Sequence, residues 1–109
     1  MTVRSLSAPE LAAWLADPAR PAPTVLDVRE AWEVATAALP GATAIPMGQI
    51  TTRTEELDGD GPIVCLCHHG MRSMQVAGYL ERRGFTDVWN LTGGIDAWSR
   101  QVDPSVPTY

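Results

Sequence analysis

Residues 63–73 have the sequence IVCLCHHGMRS, and this stretch decides the fold class. Its first part, 63–67, is an apolar run of the length and kind typical of a strand buried on both faces of a sheet. After Gly70, apolar residues recur at helical spacing, at Val76, Ala77 and Leu80. We therefore predict a buried strand, a short polar loop and an amphipathic helix over about 72–83.

The alternation of strand and helix continues on both sides of this stretch. Further strands are predicted at 24–28, 43–45 and 88–91. Helical segments are predicted after Ser7, at 29–34, at 49–57 and after Gly93. Strands that alternate with helices predict an α/β fold with a parallel sheet.

Two helix ends carry clear local signals. Ser7 with Glu10 three residues later matches a capping box, and the helix that follows has an apolar stripe at Leu11, Trp14 and Leu15. Gly84 followed by Phe85 matches a Schellman-type stop with an apolar contact. The remaining tryptophans are expected to cover the core or the surface: Trp32, Trp89 and Trp98.

The bulk composition restricts the function classes. The chain has 109 residues, 45% of them apolar and 19% charged, which predicts one globular domain over 1–109 with 102–109 as an extended strap. The net charge of −5 argues against nucleic acid or an anionic membrane as partner. Residues 1–6 lack a secretory signal pattern and no apolar run is long enough to span a bilayer, so we expect a cytoplasmic protein.

The cysteines, Cys65 and Cys67, are separated by one residue. In a strand their Cα atoms lie about 6.6 Å apart, near the limit for a disulfide, and such a bridge closes almost no loop. We therefore predict reduced thiols. Cys65 is interpreted as a core residue, with a resolving or regulatory thiol as the alternative.

The loop after Cys67 has the features that activate a thiol. Ligands of parallel sheets bind beyond the carboxyl ends of strands, and Cys67 is at such an end. Backbone N–H groups of the loop, the helix N-terminus, Arg72 and Ser73 can all stabilise a thiolate and lower its pKa. The pattern predicts a nucleophile in an anion-binding loop.

Four segments in register resemble the rhodanese family. Cys67, Gly70, Arg72 and Ser73 match its active-site loop, and the other matching segments are LDVRE at 26–30, LPGA at 39–42 and LTGGI at 91–95 with Trp98. The resemblance implies a five-stranded, mainly parallel sheet flanked by helices on both faces. It also implies a sulfurtransferase in which Cys67 takes a sulfane sulfur from thiosulfate or a persulfide and passes it to a thiol or cyanide.

The resemblance extends to the parts of the site. The substrate-binding loop comprises His68, His69, Gly70, Met71, Arg72 and Ser73. Asp27 and Arg29 are either a structural ion pair or supporting residues near the pocket. No metal and no organic cofactor is expected, and a protein could supply or receive the sulfur.

Two departures from the family pattern and two rival functions accompany this interpretation. His68 stands where thiosulfate-using members often have a basic residue, which favours a persulfide or protein-borne donor, and Ala38 stands where a histidine is frequent.

A cysteine phosphatase or arsenate reductase is a rival, although its loop usually has five residues between cysteine and arginine, and this chain has four. The second rival is an inactive rhodanese-like binding module.

Overall fold

A computed structural model describes residues 3–109 as one sheet with helices on both faces. Met1 and Thr2, which belong to the segment 1–6 expected to lack a secretory signal, lie outside the described residues. The strands are β1 (Arg4–Leu6), β2 (Thr24–Asp27), β3 (Thr43–Ala44), β4 (Ile63–Leu66) and β5 (Val88–Leu91). The helices are α1 (Ala8–Ala16), α2 (Ala31–Thr36), α3 (Ile50–Arg53), α4 (Met71–Arg82) and α5 (Gly94–Gln101).

All strand pairs are parallel, and the order across the sheet is β1-β5-β4-β2-β3. This confirms the predicted five-stranded α/β fold. β4 is the central strand, and because successive side chains alternate between faces, it contributes to two separate cores. Val64 and Leu66 pack with residues of α1 and α5, whereas Ile63, Cys65 and Cys67 pack with residues of α3 and α4.

The local signals at the helix ends are confirmed. The Ser7 hydroxyl accepts from the Glu10 N–H, and the Glu10 carboxylate accepts from the Ser7 N–H, so the capping box is complete. At the end of α4, Phe85 N–H donates to Leu80 C=O at 3.1 Å and Gly84 N–H donates to Glu81 C=O at 3.1 Å, which is the Schellman pattern.

Several element predictions need correction. The helix predicted at 49–57 is a 3-10 turn (Met47–Gln49), the short α3 and a second 3-10 turn (Thr54–Glu56). α2 begins at Ala31 because Glu30 has extended backbone and serves as its N-cap. Leu15 is not part of the buried stripe, because it lies on the solvent side of α1. β1 was not predicted, since a three-residue strand with two exposed side chains has no periodicity to detect.

No helix within residues 3–109 combines the length and the apolar content that crossing a bilayer requires. The tail after α5 turns back on the domain: Asp103 N–H donates to Trp98 C=O, and Val106 is buried in the core on the α1 and α5 side. This path brings Tyr109 to the carboxyl end of the sheet, beside the loop after β4.

Candidate active site

Cys67 directly follows β4 at the carboxyl end of the sheet, and its side chain is 1% exposed. The period of two places it on the same face as Cys65, toward α4. Its carbonyl accepts from Ile95 N–H at 2.9 Å, and the His68 carbonyl accepts from Asp96 N–H at 3.1 Å. The first turn of α5 therefore holds the start of the loop in place.

The loop after Cys67 directs hydrogen-bond donors at the sulfur. Gly70 N–H donates to Cys67 Sγ at 3.0 Å, and the Ser73 hydroxyl lies 3.3 Å from the same atom. Gly70 has φ 111°, a left-handed conformation that turns the chain from the loop into α4 and that side chains rarely adopt. α4 begins at the next residue, so the positive end of its dipole also faces the sulfur.

These contacts give the two cysteines opposite acidities. Burial raises the pKa of Cys67, but hydrogen bonds from the Ser73 hydroxyl and from the Ser73, Gly70 and His69 amides outweigh it, so the pKa falls below its ordinary value. Burial and the neighbouring Cys67 charge raise the pKa of Cys65 to about 12. Both thiols are free. Of the two thiols, Cys67 is therefore the one whose surroundings favour the thiolate.

We expect Cys67 to be alkylated as an acidic thiol while Cys65 stays unmodified in the folded chain. The rate should rise with pH through a midpoint below the pKa of about 8.5 that a free cysteine has. Peptide mass spectrometry after timed iodoacetamide treatment measures each cysteine separately. A midpoint at 8.5 or above in the unmodified chain contradicts the proposed loop electrostatics.

Asn90 is a site residue that the sequence analysis missed. It lies buried on β5, accepts from the Ser73 hydroxyl at 2.5 Å and donates to the Gly70 carbonyl at 3.1 Å. One amide thus fixes two of the three residues whose hydrogen bonds lower the pKa of Cys67. A polar residue in an otherwise apolar strand is the signal that could have identified it.

Arg72 does not lie free in the cradle. Its two terminal nitrogens donate to the Glu33 carboxylate at 2.6 and 2.8 Å. The hydroxyl of Tyr109 donates to the same carboxylate at 2.6 Å and accepts from Arg29 at 3.0 Å. Arg29 in turn forms a two-point ion pair with Asp27, at 2.9 and 2.6 Å. We call these five residues the mouth network.

The mouth network contains two further residues that the sequence analysis missed, Glu33 and Tyr109. The Arg72 hydrogen bonds lower the pKa of Glu33 to about 2, and the same contacts raise the pKa of Arg72. Because the pKa of Glu33 is depressed, its ionised form stabilises the folded chain above the ordinary value of 4.5, and this contribution is lost as pH falls toward 2. No local pattern marks either residue.

The histidines form a stack beside the cysteine. The His68 ring lies 3.9 Å from the Tyr109 ring and 4.0 Å from the His69 ring, and burial lowers the pKa of His68. His69 is more exposed and faces Asp96 at 3.9 Å. His68, His69 and Asp96 place donor atoms within 4.8 Å of one another, so they are the described residues that could contact one metal ion.

Met71 contributes apolar surface next to the loop. Its side chain is 79% exposed, and together with Met74 it borders an open pocket of about 510 Å³. His69, Gly70 and Asn90 form the part of the wall that belongs to the site. The structure therefore brings together all the residues predicted for the loop, with Asp27 and Arg29 connected to them through the mouth network.

The sheet is parallel, and its central strand ends at a cysteine that faces backbone N–H groups of the next loop. This arrangement defines a class of proteins in which amides stabilise a thiolate. The family described as "Rhodanese-like domain" matches residues 7–101. A protein named "Sulfurtransferase" from Allochromatium vinosum is 39% identical over 82 residues, which covers 75% of this chain and 77% of that protein. The chain belongs to the rhodanese-like family.

Two further similarities show how widely the fold is used. The crystal structure of a rhodanese-like domain protein from Staphylococcus aureus has a TM-score of 0.84 and 30% identity, covering 98% of this chain and 99% of that one. The "Rhodanese-like/PpiC domain-containing protein 12, chloroplastic" of Arabidopsis thaliana is 46% identical over 89 residues. This chain spans only 30% of the length of that plant protein.

Proposed function

We propose that this protein is a sulfurtransferase that moves a sulfane sulfur from thiosulfate or a persulfide to a thiol or cyanide through a persulfide on Cys67. The observation that carries the proposal is the Gly70 N–H at 3.0 Å from a buried Sγ, in a loop whose other amides also lower the thiol pKa. The similarity to a named sulfurtransferase supports sulfur transfer as the general chemistry.

The loop geometry supports a two-step transfer. The Cys67 thiolate attacks the outer sulfur of the donor, an S–S bond forms at Cys67, and the donor's own S–S bond breaks with its electron pair leaving on sulfite or a thiolate. The acceptor then attacks the terminal sulfur of the persulfide and regenerates the Cys67 thiolate. The amides that stabilise the thiolate also stabilise the persulfide anion, because both charges lie in the same ring of donors.

The remaining residues have supporting roles in this proposal. His68, His69, Met71 and Arg72 shape the approach of the donor, and Ser73 is held against the sulfur by Asn90. Asp27 and Arg29 anchor the network at the mouth. No metal or organic cofactor takes part. We further propose that the protein works in the cytoplasm and that a protein can serve as sulfur donor or acceptor.

Intact-mass measurement tests the proposal. After incubation with thiosulfate, or separately with an organic persulfide, we expect the chain to gain about 32 Da, the mass of one sulfur, and to lose it again on addition of cyanide or a thiol. Cys67→Ser should show no gain. Cys65→Ala is the matched control, since it removes the other cysteine of the same strand face and should load normally.

Two results would contradict the proposal. A folded chain that gains no sulfur from any sulfane donor would favour the binding-module interpretation. Hydrolysis of an aryl phosphate that depends on Cys67, without sulfur loading, would favour a phosphatase.

A further inference from the structure

The positive charges at the mouth of the site are already paired with carboxylates. Both terminal nitrogens of Arg72 contact Glu33, and Arg29 is held by Asp27 with side chains that are 0% and 1% exposed. Each pair is neutral as a unit. Neither guanidinium therefore offers an uncompensated charge to an anionic donor approaching Cys67.

Glu33 is fixed in this arrangement by more than its arginine. The Tyr109 hydroxyl donates to Oε2 at 2.6 Å, the Glu30 N–H donates to Oε1 at 3.2 Å, and the residue is buried. Three kinds of donor hold one carboxylate, so it cannot swing away to release Arg72 without losing all of them. These contacts favour the position in which Glu33 pairs with Arg72.

The remaining groups near the sulfur do not supply a fixed positive charge. Burial between Tyr109 and His69 lowers the pKa of His68, the residue after the cysteine, and so disfavours its charged form. Asp96, which faces His69, is paired with Arg100 at 3.0 Å. When Cys67 is a thiolate, these described groups leave the mouth with a net negative charge, which repels a dianion more strongly than a monoanion.

Apolar surface lies beside the loop instead. Met71 and Met74 are both exposed and border the pocket of about 510 Å³, a volume within the range of small-molecule sites. Methionine side chains are flexible and adapt to varied apolar groups. Cys67 and Arg72 do not line this pocket, which reaches the loop at His69 and Gly70. It therefore suits an organic group that extends beyond the transferred sulfur.

We propose that Glu33 is a specificity-determining residue that withholds the Arg72 guanidinium from anionic donors, so that an organic persulfide or thiosulfonate of low charge is a faster donor than the thiosulfate dianion. The inference rests on the proposed sulfur transfer at Cys67 and narrows its substrate class. Two donors of nearly the same shape allow the effect of charge to be measured apart from the effect of size. They are the dianion thiosulfate and the monoanion methanethiosulfonate, in which a methyl group replaces one oxygen.

Both donors react by the same bond changes, with the same count of atoms and electrons. The Cys67 thiolate forms an S–S bond to the outer sulfur, and the donor's S–S bond breaks with the electron pair leaving on sulfite or methanesulfinate. No proton, oxidant or reductant is consumed, and the charge is conserved in each case. For the protein, the second-order rate constant of loading by methanethiosulfonate is divided by that of loading by thiosulfate. Dividing this ratio by the same ratio measured for free 2-mercaptoethanol removes the difference in the intrinsic reactivity of the two donors.

We expect this normalised ratio to favour methanethiosulfonate by about tenfold or more in the unmodified chain, since charge-assisted contacts and repulsion at a few ångströms are of that order. Glu33→Gln should shift the ratio toward thiosulfate by about tenfold because it leaves the Arg72 charge uncompensated. Tyr109→Phe, which loosens Glu33 without changing a charge, should shift it in the same direction by less. The rates are obtained by stopping the loading reactions at set times and measuring the intact mass of the chain.

Glu56→Gln is the matched control. Glu56 also forms a two-point pair with an arginine, Arg53, at 2.7 and 2.9 Å, but on the exposed 3-10 turn Thr54–Glu56 away from the loop, so the ratio should not move. A ratio near one in the unmodified chain, or no shift in a folded Glu33→Gln chain, overturns the inference and leaves the sulfur transfer intact. Loading by neither donor overturns the proposed function itself, and this inference with it.

Discussion

Replacing Arg29 with methionine is expected to destabilise the folded chain by about 3–5 kcal/mol, because it leaves the Asp27 carboxylate buried without its partner. Arg29 also donates to the carbonyls of Ala37 and Glu33 and to the Tyr109 hydroxyl, so three acceptors lose a donor as well. All these groups lie where water reaches them poorly. The loss is therefore much larger than for an exposed ion pair.

Urea unfolding followed by tryptophan fluorescence measures this change. Arg53→Met removes an arginine from an exposed pair with Glu56 and is expected to change the free energy of unfolding little. The double variant Asp27→Asn with Arg29→Met should recover part of the loss, since the unpaired charge is then removed. A loss below about 1 kcal/mol for Arg29→Met would show that the buried pair is not a main support of the mouth network.

Replacing Gly94 with alanine is expected to cost about 2–5 kcal/mol and to disturb the site directly. Gly94 has φ 60°, and a Cβ atom there would collide with the backbone carbonyl oxygens of Cys67 and His68. Those carbonyls accept from Ile95 and Asp96 in the first turn of α5, so they cannot move without breaking these hydrogen bonds. The start of the loop would be displaced, and the amides would no longer point at the sulfur.

Gly41→Ala separates the two parts of this effect. Gly41 has φ 81°, but a Cβ atom there meets nothing within 4 Å, so alanine brings only the backbone strain of about 1–2 kcal/mol. We expect Gly94→Ala to lower both the unfolding free energy and the rate of sulfur loading at Cys67, and Gly41→Ala to leave loading unchanged. Equal effects of the two variants would mean that close packing of α5 on the loop is not what positions Cys67.

The sequence by itself determined the features that are encoded in short stretches. The run 63–67, the loop after it and the periodicity of α4 predict a strand, an anion-binding turn and a helix, because each depends on neighbours a few residues apart. The Ser7 cap and the Gly84 stop follow from local hydrogen bonds in the same way. The resemblance then supplied the fifth strand, which the short and exposed β1 does not reveal by pattern.

Only the tertiary structure decided how the side chains at the site pair. Arg72 meets Glu33 across 39 positions of sequence, Tyr109 meets Glu33 across 76, and Ser73 meets Asn90 across 17. For each of these side chains, the sequence contains several others with which it could form an ion pair or a hydrogen bond. No local pattern selects among them. The selection is made by the parallel sheet, which brings strand ends, α2 and the tail to one edge, and by burial, which makes an unpaired polar group costly there.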